Sequence, residues 1–177
     1  MRRFLALSAL LLAVLCAVSC SPTPPPAASE VLLSMEAALA DSGQPLPNGT
    51  IRLTAAPADS PHYLTEALFS ALYGEAARGL LTAETGRTSP VGDAALFLSF
   101  APQPRELAVF RCSDLRTAST VAGLCQGRVD ALGREFEAED GRALSWQGRV
   151  SVQGCYVILV CAEDPGPALA AAKDMIP

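Results

Sequence analysis

The sequence predicts an α+β domain in which a mostly antiparallel sheet of about four strands packs against helices. Two pairs of apolar runs are each separated by a short turn-rich segment, which is the pattern of a β-hairpin. A long amphipathic stretch lies between these pairs, and helical periodicity is present before the first pair and after the second. This order of elements predicts two hairpins flanking one long helix.

The two N-terminal helices are predicted from apolar spacing and from signals at their ends. Apolar residues recur at three- and four-residue spacing from Ala27 until Gly43 stops the pattern. Prolines and glycines then predict a loop, in which only residues 50–55 have the composition of a short strand. A second helix is expected to begin at Asp59-Ser60-Pro61, where a capping side chain precedes a proline, and to end at Gly74.

The remaining elements follow in the same way. Residues 94–100 and 106–112 form the first predicted hairpin around a proline turn, and Asp114 is positioned to cap the long helix after it. The second hairpin joins 146–152 to 155–161 through Gln153-Gly154. Its second strand is apolar at both odd and even positions, so we expect it to be covered on both faces. Asp164-Pro165 opens a final short helix.

The first 19 residues have the features of a lipoprotein signal peptide. Arg2 and Arg3 precede an apolar run over residues 4–18, which is short for a membrane-spanning helix. The run ends in Ala17-Val18-Ser19-Cys20, which resembles a lipobox, so we expect Cys20 to be acylated, with palmitate or a similar chain, and to become the first mature residue. An uncleaved anchor, or a plain secretory signal with an incidental cysteine, are the alternatives.

The expected organisation has three parts. Residues 1–19 are the signal peptide, residues 20–28 contain the lipidated cysteine and a proline-rich tether, and residues 29–177 form a single α+β domain. Prolines between residues 22 and 26 favour an extended polyproline conformation. The protein is therefore predicted to be anchored in the cell membrane by its lipid and to face the extracytoplasmic side.

The charge balance argues against a nucleic-acid partner. Without the leader the chain has 11 basic and 18 acidic residues, a net charge of −7. Its arginines are scattered and Lys173 is the only lysine, so no basic patch opposes the overall repulsion of phosphate groups.

Candidate catalytic residues are few. His62 is the only histidine, and we expect it to be a solvated residue in the first turn of the second helix rather than a base. The acidic pairs Glu139-Asp140 and Glu163-Asp164 lie next to turns or helix ends, where solvated or capping roles are expected. The sequence lacks a phosphate-binding glycine loop and a nucleophile elbow, so no catalytic residue and no cofactor are assigned.

Four cysteines remain in the mature domain, namely Cys112, Cys125, Cys155 and Cys161. Their spacing contains no C-x-x-C pair, which argues against a metal site and against a redox motif of that kind. They are either buried free thiols or include one disulfide. Because Cys155 and Cys161 are six residues apart on one predicted strand, a bridge between those two is excluded.

Several short motifs carry a resemblance to a known family. They are Phe69 with Leu72-Tyr73-Gly74, the run 106–110 with Asp114, Arg128, and Gly154 with Tyr156-Val157. In order and spacing they are similar to a family of small lipoproteins of Gram-positive anaerobes, classified as a domain of unknown function. The resemblance implies a lipoprotein with one small domain and no established activity.

These observations lead to one functional hypothesis and one alternative. The hypothesis is a non-enzymatic binding or accessory module of the cell envelope, attached to the membrane through Cys20 and contacting an envelope protein or a cell-wall component. The alternative is a small envelope hydrolase with a site around His62 or the acidic loops.

Overall fold

The computed structural model describes residues 24–83, 88–100, 104–140 and 146–177, with the backbone alone for 136–140. Four α-helices and five strands make up this part of the chain. In chain order they are α1 (Ala28–Asp41), β1 (Thr50–Leu53), α2 (Glu66–Tyr73) with a short 3-10 turn (Glu75–Ala77), β2 (Val91–Leu98), β3 (Glu106–Cys112), α3 (Leu115–Asp140), β4 (Gln147–Gln153), β5 (Tyr156–Ala162) and α4 (Gly166–Met175).

The strands form one sheet in the order β1-β2-β3-β5-β4, and every neighbouring pair is antiparallel. The predicted α+β class and both hairpins, β2 with β3 and β4 with β5, are therefore confirmed. The fifth strand is β1, which lies within the 50–55 segment and pairs with β2. Because β5 lies between β3 and β4, the long helix α3 connects two strands that run in the same direction without being neighbours.

Helices cover both faces of the sheet. Helices α2 and α3 lie on one face, where Phe69, Val121 and Leu132 pack against β2, β3 and β5. Helices α1 and α4 lie on the other face and contribute Met35 and Ala172. All seven residues of β5 are buried, so the strand predicted to be covered on both sides is covered on both sides.

The register defines two ends of the sheet that are used below. The tether end carries Arg111, which pairs with Tyr156 where β3 ends and β5 begins. The far end carries Glu106, which pairs with Leu98 and with Cys161. Five residue steps along β3 separate Glu106 from Arg111, a distance of about 17 Å.

The predicted start of the second helix is wrong. Residues 59–62 form turns, and α2 begins at Glu66 with Thr65 as its N-cap, whose side chain accepts a hydrogen bond from the Leu68 amide at 3.1 Å. The Leu53 amide donates to the His62 carbonyl, and the Leu64 amide donates to the Leu53 carbonyl. The residues just before α2 therefore pair with β1 instead of joining the helix. These nonlocal bonds outweigh the local capping signal. The predicted helix end at Gly74 is confirmed, since this glycine has a φ of 89°.

Other local signals are confirmed. Asp114 caps α3, because its Oδ1 accepts a hydrogen bond from the Thr117 amide at 2.7 Å. Gly154, with a φ of 55°, forms the two-residue turn between β4 and β5. A glycine at the first central position is the requirement of a type II′ hairpin turn. Asp164 Oδ1 accepts from the Gly166 amide at 2.9 Å and so caps α4.

Candidate functional site

The segment that leads into the domain is bound to the sheet at the tether end. The Arg111 side chain donates to the Pro25 carbonyl at 3.5 Å, and the Tyr156 hydroxyl donates to the Pro26 carbonyl at 2.6 Å. The Ala27 amide donates to Glu30 Oε2 at 2.9 Å, and the amide of the next residue also has a side-chain acceptor. Four consecutive residues, 25–28, thus have a backbone group fixed by a side chain. Residues 25–28 of the predicted tether therefore lie against the domain.

Asp93 is the acceptor at the end of this segment. Its Oδ2 accepts from the Ala28 amide at 2.8 Å, so a residue 65 positions away in the sequence binds the first turn of α1. The Thr54 hydroxyl lies 3.3 Å from Asp93 Oδ1, and Arg111 lies 3.9 Å from Oδ2. A β-bulge between Val91 and Asp93 interrupts the register of β2 at this point. Negative charge at a helix N-terminus is stabilising, which explains a carboxylate that is only 9% exposed.

Tyr156 is suited to hold the segment as a neutral donor. Burial raises the pKa of its hydroxyl, while the neighbouring Arg111 guanidinium acts in the opposite direction. The residue is buried and its bond to the Pro26 carbonyl is part-buried, so the bond is partly shielded from water. The sequence motif Gly154 with Tyr156-Val157 therefore combines the turn of the hairpin with the contact to the tether.

The far end contains a buried network of three charged or polar side chains. Glu106 is 2% exposed and receives a hydrogen bond at each carboxylate oxygen. The Tyr73 hydroxyl donates to Oε1 at 2.9 Å, Arg128 Nε donates to Oε2 at 3.0 Å, and Arg128 Nη2 completes the ion pair at 2.9 Å from Oε2. Three elements, α2, β3 and α3, are joined by these contacts. All three residues belong to the motifs on which the family resemblance was based.

The electrostatics of the network stabilise its ion pair. Burial alone would lower the pKa of Arg128, but the adjacent Glu106 carboxylate outweighs that effect and the pKa is raised. The pKa of Tyr73 is raised well above its ordinary value by burial and by Glu106. Tyr73 also packs against Phe69 and Phe110, with ring centroids 5.0 and 5.5 Å away. The network clamps α2, β3 and α3 together. Both oxygens of its Glu106 carboxylate accept hydrogen bonds.

Sequence reasoning did not find this network. In the sequence, Tyr73, Glu106 and Arg128 are marked only by the family resemblance, and Asp93 is marked by no motif. The available signal was the position of each acid within an apolar strand, because a buried carboxylate requires a partner. Nothing in the sequence spacing identifies the partners, which come from other elements.

The four cysteines within the described residues are free thiols in the structure. Cys112, Cys125 and Cys161 are buried on the face covered by α3, and Cys155 is partly buried in the β4–β5 turn. Burial raises the pKa of Cys112 to about 12, and it also raises the pKa of Cys125 and of Cys161. Within the described residues, no group of three or more His, Cys, Asp or Glu side chains is arranged to hold a metal ion.

Among the contacts of the described residues, none joins His62, Glu163 or Asp164 to the buried network. His62 is exposed in the turn before α2, not in the helix as predicted, and its Nδ1 lies 3.1 Å from the Ile51 carbonyl oxygen. Glu163 forms an ion pair with Arg105 at 3.5 Å, and Asp164 is a helix cap. The side chains of Glu139 and Asp140 lie outside the described residues. In the described part of the chain, no ion pair or hydrogen bond joins His62 to a carboxylate, since its contacts are with Ser60 and the Ile51 carbonyl.

A shallow surface groove of about 510 Å³ lies along the outer side of α2. Its polar lining includes Ser70 and the ion pair between Glu75 and Arg78, whose atoms are 2.7 Å apart and largely exposed. Exposed pairs of this kind are well solvated. The groove is lined by apolar as well as polar side chains, and none of the residues of the buried network lines it.

The fold and these contacts define an α+β domain with a bound N-terminal segment and a buried polar clamp. Comparison of the chain with protein-family models, curated proteins and solved structures finds no match. Among the helices that the structure describes, none combines the length and apolar character needed to cross a membrane.

Proposed function

We propose that this chain is a lipid-anchored protein of the extracytoplasmic membrane face, acylated at Cys20, whose domain is a non-enzymatic binding or accessory module of the cell envelope. Membership of the lipoprotein family that the sequence resembles is part of the same proposal. The lipobox supports the proposed anchor at Cys20. The contacts of residues 25–28 support the proposed orientation of the domain on the membrane.

The bound segment limits how far the domain can lie from the lipid. Only five residue steps separate Cys20 from Pro25, and a fully extended chain of that length spans at most about 18 Å. Arg111 and Tyr156 bind the carbonyls of Pro25 and Pro26. The short chain from Cys20 therefore connects the lipid to the tether end of the sheet. The proposal therefore places the tether end toward the membrane.

Exposed apolar side chains support the same orientation. Leu115 is 67% exposed at the first turn of α3, three residues after Cys112. Val152 is 49% exposed and pairs with Val157 beside the β4–β5 turn. Met175 is 36% exposed, and the Gln153 side chain donates to carbonyls of the same turn of α4. Apolar side chains at this end can enter the interfacial region of a bilayer and strengthen the attachment.

The partner-binding surface is proposed to be at the far end, which is directed away from the membrane. Phe100 follows β2 at that end and is 60% exposed. Exposed aromatic side chains are enriched at protein interfaces. An envelope protein or a cell-wall component is the proposed partner, and the membrane is reached through the acyl chains.

The state of the buried acid supports a non-enzymatic role. A general acid or base has to be within reach of substrate, whereas Glu106 is 2% exposed and both of its oxygens accept hydrogen bonds from Tyr73 and Arg128. His62 lies in an exposed turn, and its ring contacts the backbone carbonyl of Ile51. These residues are therefore assigned to structure rather than to hydrolysis.

The anchor is tested by metabolic labelling with a radioactive or clickable fatty acid. Cys20→Ala is expected to lose the label and to accumulate as the unprocessed precursor, because the acyl acceptor is absent. Cys16→Ala, a matched change within the leader, is expected to be labelled and processed normally. Equal labelling of the Cys20→Ala variant would refute acylation at this residue.

The arrangement of the domain is tested by photo-crosslinking in cells with a photoreactive residue at position 115 or at position 100. The residue at position 115 is expected to crosslink to lipid, and the residue at position 100 to a protein or cell-wall component. Lipid crosslinks from position 100 alone would contradict the orientation, and the labelling experiment above would still decide on the anchor.

A further inference from the structure

Cys112, the last residue of β3, is placed opposite Cys155, which lies in the β4–β5 turn directly before β5. Arg111 pairs with Tyr156 in the β3–β5 register, and the next position in each direction is Cys112 and Cys155. The Cys112 amide donates to the Cys155 carbonyl at 2.8 Å, which extends the ladder by one bond. Directly opposite residues of antiparallel strands have Cα atoms about 4.5 to 5.5 Å apart, within the range that a disulfide spans.

The two side chains are also close to each other. Cys112 is buried on the α3 face, and the nearby Cys155 thiol contributes to the raised pKa of Cys112 through charge repulsion. Cys155 follows Gly154 in the turn and is partly exposed. The pair therefore joins a buried sulfur to one that a reagent in solution can reach.

The other cysteines lack an equivalent cross-strand neighbour, although Cys125 in α3 lies near enough to Cys112 and Cys161 for their charges to contribute to its raised pKa. On the strands beside β5, Cys161 is opposite Glu106 and Gly148. Cys125 lies in α3, ten residues after Leu115, which is about 15 Å along the helix from the tether end. It faces the sheet from a different layer rather than from a neighbouring strand. Of the disulfide pairings that the sequence leaves open, the strand register favours the one between Cys112 and Cys155.

We propose that Cys112 and Cys155 are a modification site that forms a reversible cross-strand disulfide at the tether end of the domain. The bond would join β3 to β5 directly beside Arg111 and Tyr156, the residues that hold the segment leading to Cys20. Its formation in cells depends on the proposed extracytoplasmic location, because disulfides persist in oxidising compartments. The geometry itself does not depend on that location.

The reaction is thiol–disulfide exchange with an external disulfide, either a small molecule or an oxidised thiol oxidoreductase. The Cys155 thiolate attacks one sulfur of the oxidant, forms a mixed disulfide and releases the other sulfur as a thiolate. The Cys112 thiol then loses its proton and attacks the Cys155 sulfur, which releases the second thiolate. The two cysteines are oxidised, the external disulfide is reduced to two thiols, and these thiols carry the two protons.

The test is a redox equilibration of the full chain with oxidised and reduced glutathione, followed by alkylation in denaturant and non-reducing peptide mapping. We expect a peptide that links Cys112 to Cys155, with Cys125 and Cys161 alkylated, so two fewer alkyl groups are present on the domain than after reduction. Cys155→Ser is expected to abolish the link and restore alkylation of Cys112. Cys125→Ser is the matched control and is expected to retain the link.

Two results would overturn the proposal. One is a link that contains Cys125 or Cys161 in place of the proposed pair, and the other is alkylation of all four residues at every glutathione ratio while circular dichroism shows a folded domain. Cys155→Ser in the turn serves as the main variant because substitution of the buried Cys112 can impair folding. Neither result bears on acylation of Cys20, which is measured separately.

Discussion

Gly148 of β4 lies directly beneath the Val129 side chain of α3. A Cβ atom on Gly148 would be 2.2 Å from Val129 Cγ1 and 2.9 Å from Cγ2, far inside van der Waals contact. The glycine thus permits the long helix to approach the edge strand. The strand pattern of residues 146–152 was visible in the sequence, but this close approach depends on a residue from another element.

We expect Gly148→Ala to lower the free energy of unfolding by about 1 to 3 kcal/mol, because the added methyl overpacks the contact between α3 and β4. Urea denaturation monitored by circular dichroism measures the change. Gly127→Ala is the control, since a Cβ at Gly127 has no neighbour within 4 Å and alanine favours a helix. A Gly148→Ala variant as stable as the wild-type chain would show that the helix can shift freely.

Substituting one partner of the buried ion pair between Glu106 and Arg128 is expected to lower the free energy of unfolding strongly. Replacing both partners with apolar residues is expected to lower it less than the sum of the two single changes. Arg128→Met leaves the Glu106 carboxylate, 3% exposed in its side chain, without its charge partner. We predict a loss of about 3 kcal/mol for this variant, and a smaller loss for the double variant with Glu106→Leu than the two single changes would give together. Chemical denaturation of all four chains completes the cycle.

Arg78→Met is the control for that cycle. Its partner Glu75 is exposed, so the same substitution is expected to change the free energy of unfolding by less than about 1 kcal/mol. Additive effects of the Glu106 and Arg128 substitutions would mean that the two side chains do not interact energetically.

Tyr156→Phe removes the hydrogen bond to the Pro26 carbonyl while keeping the aromatic ring. We expect faster hydrogen–deuterium exchange of the amides of residues 27–32, because the segment before α1 loses one of its contacts. Mass spectrometry of peptides from this region measures the rate. Tyr63→Phe, a hydroxyl deletion near β1, is expected to leave that exchange unchanged, and equal protection in Tyr156→Phe would show that the bond does not hold the segment.

The buried thiols predict a loss of stability in alkali. Because burial raises the pKa of Cys112 from about 9 to about 12, the folded chain holds this proton more tightly than the unfolded chain. The resulting stabilisation is complete below about pH 9 and declines as the pH rises toward 12. Cys125 and Cys161 act in the same direction.

The measurement is the free energy of unfolding, under reducing conditions, between about pH 7 and about pH 10. The free energy of unfolding of Cys112→Ser is expected to decline less steeply with pH than that of the wild-type chain, since a hydroxyl does not titrate in this range. The difference in slope corresponds to about one proton that the folded wild-type chain binds and the unfolded chain does not. Identical slopes would show that Cys112 ionises alike in the folded and unfolded chains.

The parts of the fold that depend on local patterns were predictable from the sequence. The Asp114 cap, the Gly74 helix end and the Gly154 turn are each determined by residues next to one another. The start of α2 was not predictable from Pro61, because the bonds at Leu53 that extend the chain there come from β1. Local signals decide an element only where no distant partner competes.

The candidate site was less accessible for the same reason. The sequence separation is 33 residues for Tyr73 and Glu106, 22 for Glu106 and Arg128, and 65 for Ala28 and Asp93. Such contacts depend on the strand order, which periodicity does not reveal. The cysteines illustrate the limit, because the sequence excluded a bridge between Cys155 and Cys161 but left the other pairings open.

The attachment of residues 25–28 also determines how mechanical load would reach the domain. Arg111 lies in β3 and Tyr156 in β5, and both strands are in the interior of the sheet with a hydrogen-bonded neighbour on each side. A force applied through the N-terminal segment is therefore shared between strands held by two ladders each. The two side-chain hydrogen bonds are the first contacts to carry that load, and once they break it passes along the covalent chain to α1.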